Sequence, residues 1–200
     1  MDTTVYLIRH GHIDLPITQG EPTIYGPEVL LSSIGRQQMR NLGQKLSKQR
    51  VKFDEIYTSP LLRARQSAYL VSKEVGNPPI LYVDGLRGLK YPTWRGRPVS
   101  ELKSEEEIFT DESLREVSER IWKTFQELVL ASSNKTIGIV MHGEESGVLL
   151  HQLTNPEQDA ELGRSMGNGE ATRLVVSSEL RLKEKQNIIP YEIKVGKERA

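Results

Sequence analysis

Hydrophobic residues come in short runs and in helical stripes, and the two alternate along the chain. Residues 3–8 form a short β-branched and aromatic run, which predicts a buried strand ending at Arg9-His10-Gly11. Residues 11–30 hold Pro16, Gly20, Pro22, Gly26 and Pro27 and predict a long loop. Ser32 or Ser33 then caps a helix whose Ile34, Met39, Leu42 and Leu46 fall near one stripe. Residues 53–57 predict a second strand. Ser59-Pro60 follows it, an N-cap with proline at the first helical position, and that helix stops at Gly76-Asn77-Pro78-Pro79. Residues 80–83 predict a third strand and residues 84–98 a loop rich in glycine and arginine.

The strongest helical signal opens at Thr110 or Asp111. In it Leu114, Val117, Ile121, Phe125 and Leu128 recur at 3-4-4-3 spacing on one face. Residues 136–141, TIGIVM, form a continuous apolar strand that ends at His142-Gly143, and a helix follows through 146–150. Residues 172–177 and 188–195 read as two late strands, and the final GKERA as a solvated tail. Strands alternating with helices imply an α/β fold with a largely parallel sheet. There is no repeat, low-complexity tract or long linker, so residues 1–200 are expected to form one domain.

Composition narrows the chemistry. The chain has no cysteine, which excludes disulfides, thiolate metal sites and a cysteine nucleophile. It has four histidines with no HxH or HxxxH on a plausible helix, so no metal and no cofactor are expected. Lysine plus arginine equals aspartate plus glutamate, 27 against 27, which gives no global attraction to nucleic acid or membrane. No apolar run nears the ~20 residues that span a bilayer, and the first residues do not read as a signal peptide. The expected compartment is the cytoplasm.

Right-handed crossovers bring the carboxyl ends of parallel strands to one edge of the sheet, where open α/β folds bind ligands. Arg9 and His10 end the first strand, Ser59 to Arg63 follow the second, and His142 and Gly143 end TIGIVM. Two histidines and two arginines therefore converge, a set suited to a dianionic phosphate. Arginine offers a planar fork of donors and stays charged. A helix start adds amides and a positive dipole end. A neutral imidazole, one nitrogen held by a hydrogen bond, can attack phosphorus and split a hard hydrolysis into two steps. Gly11, lacking a Cβ, allows a close backbone approach. The second histidine, cationic beside the phosphate, would stabilise charge on the transferring group.

The blocks VYLIRHG, LSSIGRQQMRNLGQKL, YTSPLLRARQSA and IGIVMHG, in that order, resemble the histidine phosphatase superfamily, in its phosphoglycerate mutase-like branch. The resemblance runs from Val5 to about Leu153. It implies a three-layer α/β/α sandwich with a mostly parallel central sheet and a metal-independent site. In that site His10 would accept the phosphoryl group, with Arg9, Arg63 and His142 completing the pocket. Gly11, Gly143 and Glu144 would lie at the substrate. Two departures stand out. Family members usually carry LxExxxGxWEG, whose first glutamate donates a proton to the leaving group. Here the segment reads LRGLKYPTWRG, with Gly88 at the donor position, Pro92 for a glycine and Arg95 for the second acid. The loop after RHG reads HIDLP instead of an ETxxN pattern.

With the usual acid missing, Glu144 and Glu145 are the first candidates to replace it, then Asp14 and Asp84. Alternatively the substrate carries an acidic leaving group, such as an acyl phosphate or phosphohistidine. Arg87, Lys90, Arg95 and Arg97 make residues 84–98 basic, which favours a phosphorylated small molecule with further negative charge. Simpler readings accompany these. Arg63 is preferred to Arg65 for its place in SPLLRA. His12 reads as a loop residue or pocket wall, His151 as structural, and Trp94 equally as pocket lid or loop anchor. Glu144 also fits a solvated first-turn acid. The charged face of the long helix is a solvated surface. The leading expectation is a phosphomonoesterase working through a phosphohistidine. The alternatives are a phosphoglycerate mutase, whose family members tend to be longer, and a silent module that binds phosphorylated ligands. Oligomeric state is not legible.

Overall fold

A computed structural model describes residues 1–24, 26, 28–89, 95–101, 112–155, 157 and 165–188. Its centre is a six-stranded sheet in the order β5-β4-β6-β1-β7-β8. The strands are β1 (Thr3–Arg9), β4 (Glu55–Thr58), β5 (Ile80–Tyr82), β6 (Thr136–Met141), β7 (Ala171–Val176) and β8 (Leu182–Ile188). β5, β4, β6 and β1 run parallel, and β7 and β8 add antiparallel strands beyond β1.

Side chains alternate across this sheet and bury both faces. Val5 and Leu7 of β1 join Ile137, Ile139 and Met141 of β6 in one apolar layer. Against it pack Val117, Ile121 and Phe125 of α3 (Leu114–Ala131) and Leu149 and Leu153 of α4 (Gly143–Thr154). Tyr6, Ile8, Ile56 and Val140 point the other way. They meet Met39, Leu42 and Leu46 of α1 (Ser33–Lys48) and Ala64, Ala68 and Val71 of α2 (Leu62–Glu74). The result is the α/β/α sandwich that the motifs imply.

Local chemistry sets the boundaries. Ser32, not Ser33, caps α1, its hydroxyl accepting from the Gly35 amide. The long helix starts after Thr110 and Asp111, which lie outside the described residues. Ser113 caps it, in a reciprocal box with Glu116. α2 begins at Leu62 with Leu61 as its uncapped N-cap, so Ser59 and Pro60 precede the helix. The expected loop 11–30 contains a two-stranded hairpin, β2 (Ile17–Thr18) and β3 (Glu21–Pro22), turned by Gln19 and Gly20 at positive φ. Among the described residues the last strand is Leu182–Ile188, an exposed edge strand whose LKEKQNI has little to bury; the strand expected over 188–195 lies, after Ile188, outside the described residues. Among the described residues no helix is long and apolar enough to cross a membrane.

Candidate active site

β1 and β6 are parallel neighbours with Arg9 opposite Met141, so the residues after them emerge side by side. The His10 amide donates to the Met141 carbonyl at 3.0 Å. The two imidazoles then stand 5.1 Å apart between centroids, inclined at 63°. β4 lies on the other side of β6, and the Ser59 amide donates to Val140 O at 2.9 Å. That contact delivers Ser59 to His142, with Nε2 and Oγ 2.9 Å apart. Arg63, in the first turn of α2, is buried, whereas Arg65 is exposed and stacks on Tyr82.

His10 is held in one tautomer. Its Nδ1–H donates to the Gly11 carbonyl at 2.8 Å, so the lone pair sits on Nε2. Burial and the charge of Arg63 lower its pKa to about 3, against the opposing pull of the Gly11 hydrogen bond. Burial, then Arg63, then His10 hold His142 well below the usual histidine range. Burial and the neighbouring arginines thus favour the neutral imidazole at His142 over the cation.

Arg9 is aimed by the other end of the chain. Its Nη1 donates to Met166 O at 2.5 Å and to Ser165 Oγ at 3.2 Å. Gly143 lies against this guanidinium, and a Cβ there would collide with it. Gly11 makes a close approach too, but to the backbone of Gly35 at the start of α1. Its amide donates to Ser67 Oγ at 3.2 Å. The His10 carbonyl accepts from the Gly169 amide at 3.1 Å and from Asn168 Nδ2 at 3.2 Å. Ser59, Ser67, Gly35 and Asn168 were not marked by sequence as site residues, because each acts through a neighbour's backbone or ring.

Gly88 stands on the pocket. An ideal Cβ at this position would come 3.1 Å from His142 Cγ and 3.2 Å from Arg63 Nη2. Arg120 of α3 secures the preceding turn, donating at 2.9 Å to both Gly85 O and Arg87 O while Glu112 accepts from it. Glu145 is completely buried, and among the described residues neither of its oxygens closes a hydrogen bond of normal geometry, although its own amide and that of Leu89 lie toward it. Burial and the nearby Glu144 push its pKa up to about 8. Glu144 itself is half-buried on the first turn of α4.

The remaining candidates fall away from the centre. Asp14 is 80% exposed beside His12, and Asp84 is 83% exposed and paired with Arg87. His12 anchors its loop, with Nδ1 2.8 Å from Ser32 Oγ and its amide donating to Gln38. His151 lies in the last turn of α4. The described arginines of the basic loop are not free positive charges. Arg87 pairs with Asp84, Arg95 with Glu28 and Arg97 with Glu101. Their acid partners come from elsewhere in the chain or from the loop's own end, so a count over residues 84–98 misses most of them. Lys90 and Trp94 lie outside the described residues. Among the described residues no cluster of three or more His, Asp or Glu could hold a metal ion.

The model of the histidine phosphatase superfamily (branch 1) matches residues 5–188. Among curated relatives, the uncharacterized phosphatase PhoE of Bacillus subtilis is 28% identical over 81% of this chain and 83% of its own length. A 2,3-bisphosphoglycerate-dependent phosphoglycerate mutase from Rhizobium johnstonii is 24% identical over 84% of this chain and 88% of its own. Among solved structures, a mutant phosphoserine phosphatase from Entamoeba histolytica, in complex with phosphoserine, superimposes with a TM-score of 0.70. It is 23% identical and covers 92% of this chain and 96% of that one.

Proposed function

The chain belongs to the histidine phosphatase superfamily, and from that premise we propose that it is a metal-independent phosphomonoesterase whose nucleophile is His10. The observation that carries this reading is the orientation of that ring. With Nδ1–H committed to Gly11 O, only Nε2 presents a lone pair, and it belongs to a ring beside His142 and the Arg63 end of α2.

A phosphate dianion entering this pocket meets Arg9, Arg63 and the first turn of α2. Its charge opposes the arginines that, after burial, hold His142 unprotonated, so binding favours the cationic form of the ring, which stabilises the transferring oxygens. His10 Nε2 attacks phosphorus, the ester bond breaks, and a phosphohistidine forms. Water then attacks phosphorus and releases inorganic phosphate.

The proposed substrate is a phosphorylated small molecule, in keeping with the phosphoserine bound by the similar structure. Further negative charge on it is not favoured, since the described loop arginines are already paired. Phosphoryl transfer of the mutase type uses the same first step and has its own relative in the comparison. The test is incubation with a labelled phosphodonor, with chelator present, followed by a screen over small phosphate esters, acyl phosphates and 2- and 3-phosphoglycerate. The expected result is an acid-labile label lost in His10→Ala, with phosphate release exceeding phosphoglycerate interconversion. Interconversion in excess of release would make the protein a mutase. No label and no turnover would leave a module that only binds phosphorylated ligands.

A further inference from the structure

Resting on the phosphatase reading above, we propose that Glu145 is the acid that protonates the leaving-group oxygen, entering the site from α4 in place of a carboxylate at position 88. Position 88 cannot supply one. It is glycine, and a Cβ there would crowd the His142 ring and the Arg63 guanidinium. The next residue, Leu89, turns its amide toward the Glu145 carboxyl without closing a normal hydrogen bond. The carboxyl thus lies one peptide unit from the residue that borders the phosphate-facing side chains, and its helix starts from His142 itself.

Packing gives no reason for an acid at this place. A buried carboxyl without a partner costs stability, and an apolar residue of similar size would cost nothing. Such groups concentrate where a proton is to be moved. The charged groups that face it are Glu144 on its own helix and Arg120 from α3, with His142 three residues before it. Burial and Glu144 keep the acid protonated at neutral pH, the form a donor needs. Polar atoms of the candidate site are withdrawn from water as well, His142 Nδ1 among them. Asp14 and Asp84 are solvated, and of the two acids in the first turn after His142 Glu144 is half-buried and Glu145 fully buried.

In the first step the His10 Nε2–phosphorus bond forms and the ester P–O bond breaks. The proton of Glu145 passes to the departing oxygen, and the alcohol leaves. In the second, water attacks phosphorus and gives its proton to the Glu145 carboxylate. The N–P bond breaks, inorganic phosphate leaves, and both side chains are restored.

The test compares wild type and Glu145→Gln on an alkyl phosphate, which needs a donor, and on 4-nitrophenyl phosphate, which does not. The expected result is a loss of about 100-fold or more in kcat on the alkyl ester against little change on the aryl ester. Wild-type alkyl turnover should fall above about pH 8 while aryl turnover holds. That profile needs no variant, so it decides the matter even if Glu145→Gln folds poorly. Equal losses on both esters, or no loss on either, would overturn the donor role and leave the phosphatase reading intact through the His10 label. Absence of label and of turnover in the wild type would remove both.

Discussion

His10 works, in this reading, as a neutral ring, and its environment fixes the pH range in which it can. With a pKa of about 3 it is unprotonated down to mildly acidic solution. We predict that kcat/KM on 4-nitrophenyl phosphate shows no loss near pH 6.5, where a free histidine would titrate; an acid limb at that pH would count against it. The same depression bears on stability. The unfolded chain takes up the proton at about pH 6.5 and the folded chain only near 3. The contribution is therefore whole above pH 6.5 and is lost as pH falls toward 3. Glu145 has the opposite sign. Its folded pKa is raised, so its contribution is whole below the ordinary carboxylate range and is lost as pH rises toward 8. Glu145→Gln should consequently raise Tm at pH 8 more than at pH 5, measured by thermal unfolding in matched buffers. The convergence of Arg9, His10, Arg63 and His142 was legible because the first two and the last sit at or just after strand ends, and Arg63 opens the helix that follows one, each in a recognisable block. Ser59 was misleading: its serine-proline pair reads as a helix cap, but the hydroxyl faces His142 and the helix begins later.

At the level of elements, the site depends on how closely α1 approaches the turn after β1. Gly35 lies against the backbone of His12, and a Cβ there would overlap the His12 carbonyl. Gly35→Ala should cost about 1–3 kcal/mol in urea denaturation and lower kcat as well, since the displaced turn carries His10. By contrast, Ser113→Ala breaks the box at the start of α3, far in sequence from the nucleophile. It should cost about 1 kcal/mol and leave kcat unchanged. Helices α1 and α3 were legible from their periodic apolar faces. β8 was not, because an edge strand with polar residues on both faces has no period to detect, and the β2–β3 hairpin is too short to have one.

Across the whole molecule, stability and chemistry occupy different regions. The apolar layers on the two faces of the sheet hold it together, and the side chains of the candidate site gather where β4, β6 and β1 end. Phe125, fully buried in the layer under α3, should cost about 3–5 kcal/mol when replaced by alanine, while the remaining folded protein turns over at the wild-type rate. Denaturation midpoints with kcat normalised to folded protein would check this. The segment after β3 and the segment before residue 101 have a fate in common. Thr23 bridges Pro98, the Ile24 amide donates to Arg97 O, the Gly96 amide donates to Ile24 O, and Ser100 reaches Glu21. Residues 21–24 and 96–100 are thus sewn into one flap. Transplanting either segment alone from a relative would tear its seams, so any exchange of this flap, by engineer or by descent, has to re-tailor both edges together.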